Sequence, residues 1–303
     1  MAAIVVPLDG SEFAERALGV ARTLADATHG ALTLVQVIAK PWRLDTPGDL
    51  TILLERAARS YLAEVALKAG PGLVESQVLT GHPVDELLGF VTAHDALLVM
   101  STHGRGGFER AVFGSVADKV MRGATAPLVI VPVAASSVAD PLTDLIVPLD
   151  GSALSAVALP HALALARATG ATLRLTWVVE PIWDAFFTYG SPMSMYVSDA
   201  QLTRMQQDAD AEASDYLAAL AASLADTPGG IEQTVRHGRP AAELLRMSED
   251  FPHGLLVMAT HGRGGLRRWA LGSVTTEVTQ RSTLPIMVVP SLAAAEQQGG
   301  AAA

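Results

Sequence analysis

The sequence predicts an α/β fold made of two Rossmann-like doubly wound units. Three observations predict it. Short apolar runs alternate with segments of helical spacing. Those runs are continuous, as in strands of a parallel sheet covered by helices on both faces. The whole series also occurs twice, and internal repeats of this length read as repeated domains rather than solenoid units. IVVPLDGSEFAERAL at Ile4 answers LIVPLDGSALSAVAL at Leu145, 141 residues on. THGRGGFERAVFGSV at Thr102 answers THGRGGLRRWALGSV at Thr260, and APLVIVP at Ala126 answers LPIMVVP at Leu284, both 158 residues on. With 303 residues, two domains fit the usual size of about 100–200 residues each. Their expected bounds are 1–135 and 141–292, joined through the small, polar stretch 133–140 (VAASSVAD). The widening offset places an insertion of 17 residues in the second copy, around 181–197.

Each element has a local reason. Residues 4–8 form a short apolar run, hence a buried strand. Ser11 is suited to cap the next helix, with Glu12 and Glu15 favourable in its first turn. Phe13, Ala17, Val20, Ala21 and Leu24 then follow helical spacing. Residues 32–38 are strand. Leu53, Leu54, Ala57, Tyr61, Leu62 and Val65 mark a second helix. Residues 74–79 are strand, and Pro83 opens a helix where proline is tolerated. Residues 96–101 are strand, 115–123 a short helix and 128–131 the last strand. The second copy repeats this order, and Ser198 with Gln201 offers a capping box for its long second helix.

Composition narrows the functional classes. Half of the residues are hydrophobic and 17% are charged, which excludes a disordered chain. Lys and Arg number 21 against 31 Asp and Glu, so no basic footprint for nucleic acid is present. The absence of cysteine excludes thiol nucleophiles and zinc–thiolate sites. No stretch reaches the ~18 apolar residues of a membrane helix. The opening MAAIVVPLDGSE has no basic region and meets Asp9 early, so no secretory signal is expected. A cytoplasmic location is the expectation.

In an open parallel sheet, ligands sit beyond the carboxyl ends of the strands, where the strand order reverses. With the order 3-2-1-4-5 that point lies between strands one and four. The loops there, residues 9–11 and 102–115, are the segments most nearly identical between the copies. Gly104, Gly106 and Gly107 follow a strand, and Gly114-Ser115 opens a helix. Glycines permit close backbone approach and positive φ. A helix N-terminus presents N–H groups to an anion, and Arg105 is suited to pair with phosphate. The loop therefore reads as a phosphate cradle; one copy alone would read equally as a glycine-rich turn with a serine cap, and its repetition favours the cradle. Asp9 and Asp150 end their strands as ligand contacts or as turn stabilisers. His103 and His261 read as loop-orienting residues ahead of general bases. No H-E-x-x-H, G-x-S-x-G or G-x-x-x-x-G-K-[ST] occurs. Trp183, Phe186, Phe187, Tyr189 and Tyr196 in the insertion read as packing residues ahead of a lid.

P-L-D-G-S after strand one, T-H-G-R-G-G, nine residues from glycine to G-S-V, and a closing P-L-V-I-V-P together resemble the universal stress protein family. The resemblance covers both copies, about residues 1–133 and 143–291. It implies in each copy a five-stranded parallel sheet of order 3-2-1-4-5, and pairing through the last strand. In ATP-binding members it implies a G-x-x-G-(nine)-G-[ST] motif for ribose and phosphates. Carried onto this chain, that motif gives Gly104, Gly114 and Ser115, and in the second copy Gly262, Gly272 and Ser273. Asp9 and Asp150 take the place of an adenosine-contacting aspartate. Val37 and Val178 fall where backbone meets adenine, and Val116 and Val274 where N–H groups meet phosphate. The motif's first glycine is Ser101 in one copy and Ala259 in the other. Arg105, Gly107, Arg263 and Gly265 complete the candidate nucleotide-binding set, with no catalytic or metal-ligating residue expected.

The function this implies is an ATP-binding, nucleotide-dependent regulator of stress responses. ATP, with Mg2+ as its accompanying ion, is the implied cofactor. The expected partner is an adenine nucleotide, with no nucleic acid or membrane. The two units are expected to pack as an intrachain pseudo-dimer, and a homodimer of the whole chain stays open. The alternatives are an interaction module without nucleotide and a slow ATP hydrolase.

Overall fold

The computed structural model describes residues 3–39, 48–70, 72–103, 114–135, 141–182, 198–261 and 271–291. The first half contains β1 (Ile4–Pro7), α1 (Glu12–Glu15), α2 (Ala17–Thr28), β2 (Leu32–Ile38), α3 (Gly48–Lys68), β3 (Val74–Thr80), α4 (Pro83–His94), β4 (Leu97–Ser101), α5 (Ser115–Gly123) and β5 (Leu128–Val131). The second contains β6 (Asp144–Leu149), α6 (Ala153–Ala156), α7 (Leu159–Thr169), β7 (Thr172–Val179), α8 (Asp199–Ser223), β8 (Ile231–His237), α9 (Pro240–Asp250), β9 (Gly254–Ala259), α10 (Ser273–Arg281) and β10 (Ile286–Val289).

The single helix expected after Ser11 is two pieces. Arg16 N–H turns to the Phe13 carbonyl at 3.3 Å, a tighter i−3 bond than the helix would continue with. In the second copy, Pro160 has no N–H to give the Ala156 carbonyl, and the chain breaks between α6 and α7.

Each half keeps the expected strand order, and the two five-stranded series run on through their last strands into a single ten-stranded sheet, ordered β3-β2-β1-β4-β5-β10-β9-β6-β7-β8. Each half keeps its strands parallel, and the halves join through an antiparallel β5–β10 pair with Met287 opposite Val129. The reason is the composition of those two strands. All four residues of LVIV and of IMVV are buried, and an apolar edge left unpaired exposes both side chains and backbone polar groups. The outer strands β3 and β8 end the sheet with exposed Glu75 and Gln77, and Glu232 and Gln233, which discourages further edge pairing.

Alternate residues of each strand serve opposite faces. Val129, Val131, Met287 and Val289 pack with α2, α3, α7 and α8. Leu128, Ile130, Ile286 and Val288 pack with α4, α5, α9 and α10. Equivalent helices share a face, and α2 touches α7 across the junction. The pseudo-twofold therefore runs through the sheet, perpendicular to it. Because β5 and β10 are antiparallel, the carboxyl ends of the two sets of strands point to opposite ends of the molecule.

Candidate functional site

The turn after the first strand of each half is built the same way. In the second half, Asp150 Oδ1 accepts from Ser152 N–H at 3.0 Å and from its hydroxyl at 2.6 Å. Ser152 Oγ in turn accepts from Ser155 N–H at 3.1 Å, capping α6. Gly151 supplies the positive φ of 76° that the turn requires. In the first half, Asp9 Oδ1 accepts from Ser11 N–H at 3.0 Å and its hydroxyl at 2.6 Å, and Ser11 Oγ accepts from Ala14 N–H at 3.2 Å. The turn-stabilising role weighed for both aspartates is thus present.

The fourth strand of each half leads to a helix start. Gly114 N–H donates to the Thr102 carbonyl at 2.8 Å, and Gly272 N–H to the Thr260 carbonyl at 2.9 Å. Each glycine is the N-cap of its helix, and neither α5 nor α10 has a side-chain cap among the described residues. The first-turn N–H groups are therefore left to whatever occupies the space before them. Positive φ is not what these glycines provide: their φ values are −59° and −58°. At Gly272 a Cβ would lie 3.0 Å from the Thr260 carbonyl oxygen, so glycine is needed there to close the loop on itself.

Between β6, β7, β9 and the starts of α9 and α10 lies a cleft of about 570 Å³. That is within the range of ~300–1,000 Å³ typical of small-molecule sites. Asp150, Val178, Ala259, Gly272, Ser273 and Val274 all line it. These are all the second-copy candidates that fall within the described residues. In the first half, Asp9 follows β1, Val37 lies in β2, Ser101 closes β4, and Gly114, Ser115 and Val116 start α5, the same places in the repeated plan. Gly104, Arg105, Gly107, Gly262, Arg263 and Gly265 lie outside the described residues, as do the five aromatic residues of the insertion.

Sequence reasoning did not find the rest of the wall. Trp177, Leu244 and Met258 give it an apolar side, and Glu180 and Glu212 add carboxylates. Trp177 meets Tyr216 edge-on at 5.4 Å between centroids. Burial, then the charge of Asp150, raises the Tyr216 phenol above its ordinary pKa, so it stays neutral beside the cleft. Met258 carries a core signature and serves both core and cleft. Trp177 and Glu212 lie outside the motifs read from the sequence, although Trp177 adjoins Val178, so no sequence signal marked them. Among the described residues no group of three or more His, Asp or Glu converges to hold a metal ion. Among the described residues no helix is long and apolar enough to cross a membrane.

The architecture defines a doubled α/β protein with a ligand-sized cleft at the strand ends of its second half. Residues 1–132 and 142–290 match the universal stress protein family, and the chain belongs to that family. A universal stress protein of Mycobacterium tuberculosis (strain ATCC 25618 / H37Rv) is 25% identical over 297 residues, covering 94% of this chain and 96% of that protein. One from Bacillus subtilis (strain 168) is 30% identical over 146 residues, 48% of this chain and 97% of that protein. The crystal structure of a universal stress protein from Archaeoglobus fulgidus DSM 4304 shares the fold, with a TM-score of 0.67 at 20% identity over 95% of this chain and 98% of that one.

Proposed function

We propose that this chain binds an adenine nucleotide, ATP, at the strand ends of each half and acts as a nucleotide-dependent regulatory protein. One observation carries the reading: six residues proposed from the sequence, in or beside β6, β7, β9 and α10, line one cleft of ligand size. The cleft is polarised in the way a nucleotide needs. Trp177, Leu244 and Met258 offer apolar surface for a base. The uncapped start of α10 offers N–H groups and the positive end of a helix dipole for phosphates. An Mg2+ ion accompanying ATP would be held chiefly by the phosphates, with the carboxylates of Asp150, Glu180 and Glu212 lining the same cleft. We assign one such unit to residues 1–135 and the other to 141–292.

Mass spectrometry of ligand released from the purified, denatured chain tests the reading directly, with an adenine nucleotide expected. Calorimetry should then give tighter binding of ATP than of AMP, because the helix start addresses phosphates and not the base. Equal affinity for the two would remove the phosphate argument, and no binding of either would remove the function.

A further inference from the structure

His261 stands beside the start of α10 and lines the second-half cleft. Its Nδ1 lies 3.1 Å from Thr260 Oγ1 and 3.2 Å from Ser291 Oγ, and those two hydroxyls lie 3.0 Å apart. Thr260 Oγ1 also accepts from Ser291 N–H at 3.1 Å, which pins the triangle to the end of β10. Both hydroxyl protons can be used in hydrogen bonds within this triangle in one proton arrangement. If Nδ1 accepts, one hydroxyl donates to the other and the remaining proton goes to the ring. If Nδ1 carried a proton, one hydroxyl would be left without an acceptor in the triangle. Satisfying both hydroxyls within the triangle therefore places the ring proton on Nε2. That atom is buried and has no hydrogen-bond partner among the described residues. A buried donor without an acceptor is costly, so a partner belongs there. The arrangement is particular to the second half. The position of Ser291 in the repeat is Val133 in the first, where Thr102 Oγ1 alone meets His103 Nδ1, at 2.8 Å.

We propose that His261 binds the phosphate end of the nucleotide in the second cleft by donating its Nε2–H, and that Thr260 and Ser291 are positioning residues that fix this tautomer. The proposal rests on the nucleotide reading above. An Nε2–H donor beside a helix start adds a directional hydrogen bond to an anion that the backbone N–H groups already address.

The test uses the full chain and calorimetry with adenosine and with ATP. His261→Leu should weaken one of two ATP sites by about ten- to a hundredfold, the effect of losing one hydrogen bond to a charged acceptor. Adenosine binding should stay as it was. His261→Gln, whose amide also donates, should restore most of the loss. Histidine ¹⁵N spectra, with His261 identified by its absence in the leucine variant, should show the proton on Nε2 and a shift of that nitrogen with ATP but not adenosine. Thr260→Val with Ser291→Ala should release the tautomer preference and weaken the same ATP site. A proton found on Nδ1, or equal losses for adenosine and ATP, or no loss for either, would overturn the assignment. If the unaltered chain binds neither compound, the nucleotide reading fails and this assignment falls with it.

Discussion

Gly272 illustrates what a single missing methyl does. Its Cβ position lies 3.0 Å from the Thr260 carbonyl, closer than side chains ordinarily pack, and its N–H donates to that same carbonyl. Gly272→Val should therefore displace the start of α10 and close the second cleft to nucleotide while the chain stays folded. Bound nucleotide, measured on protein whose circular dichroism is unchanged, checks this. His161 is a residue whose effect lies in pH. Burial lowers its pKa below the ordinary 6.5. The folded state thus prefers the neutral ring, and the unfolded chain takes up the proton first as pH falls. The stability this contributes is full above 6.5 and is lost as pH drops through the folded value. The urea midpoint of the unaltered chain should fall between pH 7.5 and 5.5 by more than that of His161→Gln. Equal slopes would show that other groups govern the acid side.

At the scale of elements, the duplication supplies its own controls. Helix α2 ends in His29 at φ 51°, and its twin α7 ends in Gly170 at φ 72°. A left-handed residue with a Cβ costs roughly 1–2 kcal/mol, and glycine escapes most of that cost. Space is not limiting at Gly170, where nothing lies within 4 Å of an added Cβ. Gly170→Ala should accordingly lower stability by about 1 kcal/mol, and His29→Gly should raise it by less, since glycine also loosens the unfolded chain. Urea titration of the two variants checks both signs. The long helix α8 begins with the expected capping box, in which Gln201 N–H donates to Ser198 Oγ at 3.4 Å and Ser198 N–H donates to Gln201 Oε1 at 2.9 Å. Ser198→Ala should cost about 0.5–2 kcal/mol by the same measurement.

At the scale of the molecule, the β5–β10 pair makes one sheet of two halves. Val129 sits opposite Met287 at the middle of that junction and is fully buried. Val129→Asp would bury a carboxylate with no partner, costing about 3 kcal/mol or more. Because the β5–β10 pair joins the two halves, unfolding followed by circular dichroism should shift as a whole. A lysine at exposed Glu75 on the outer strand should leave the midpoint within about 0.5 kcal/mol. The two sets of strand ends face opposite ends of the molecule, so the sites share no wall. Losses at distant sites usually add. Gly114→Val and Gly272→Val should each leave about one nucleotide per chain, and together none. A single variant that empties both sites would show that the shared sheet couples them.

The sequence by itself determined the duplication, the order of strands and helices, the turn at Asp9 and Asp150 and the glycine-serine helix starts. These are local patterns: apolar runs, caps and turn residues act over a few positions, and a repeated motif can be compared with its own copy. Other facts arose only when distant segments met. Ser291 reaches His261 across 30 residues, with nothing in either neighbourhood to announce the contact. Trp177, Glu212 and Leu244 line the cleft because β7, α8 and α9 converge there, though each reads in sequence as an ordinary strand or helix residue. Gly272 reads as a residue for positive φ or for ligand approach, whereas its neighbour is the chain's own Thr260 carbonyl. The union of the two five-strand series was readable from their apolar last strands, but its register, with Met287 opposite Val129, was decided only when the strands met, because an apolar run marks an edge to be covered without fixing which residue faces which.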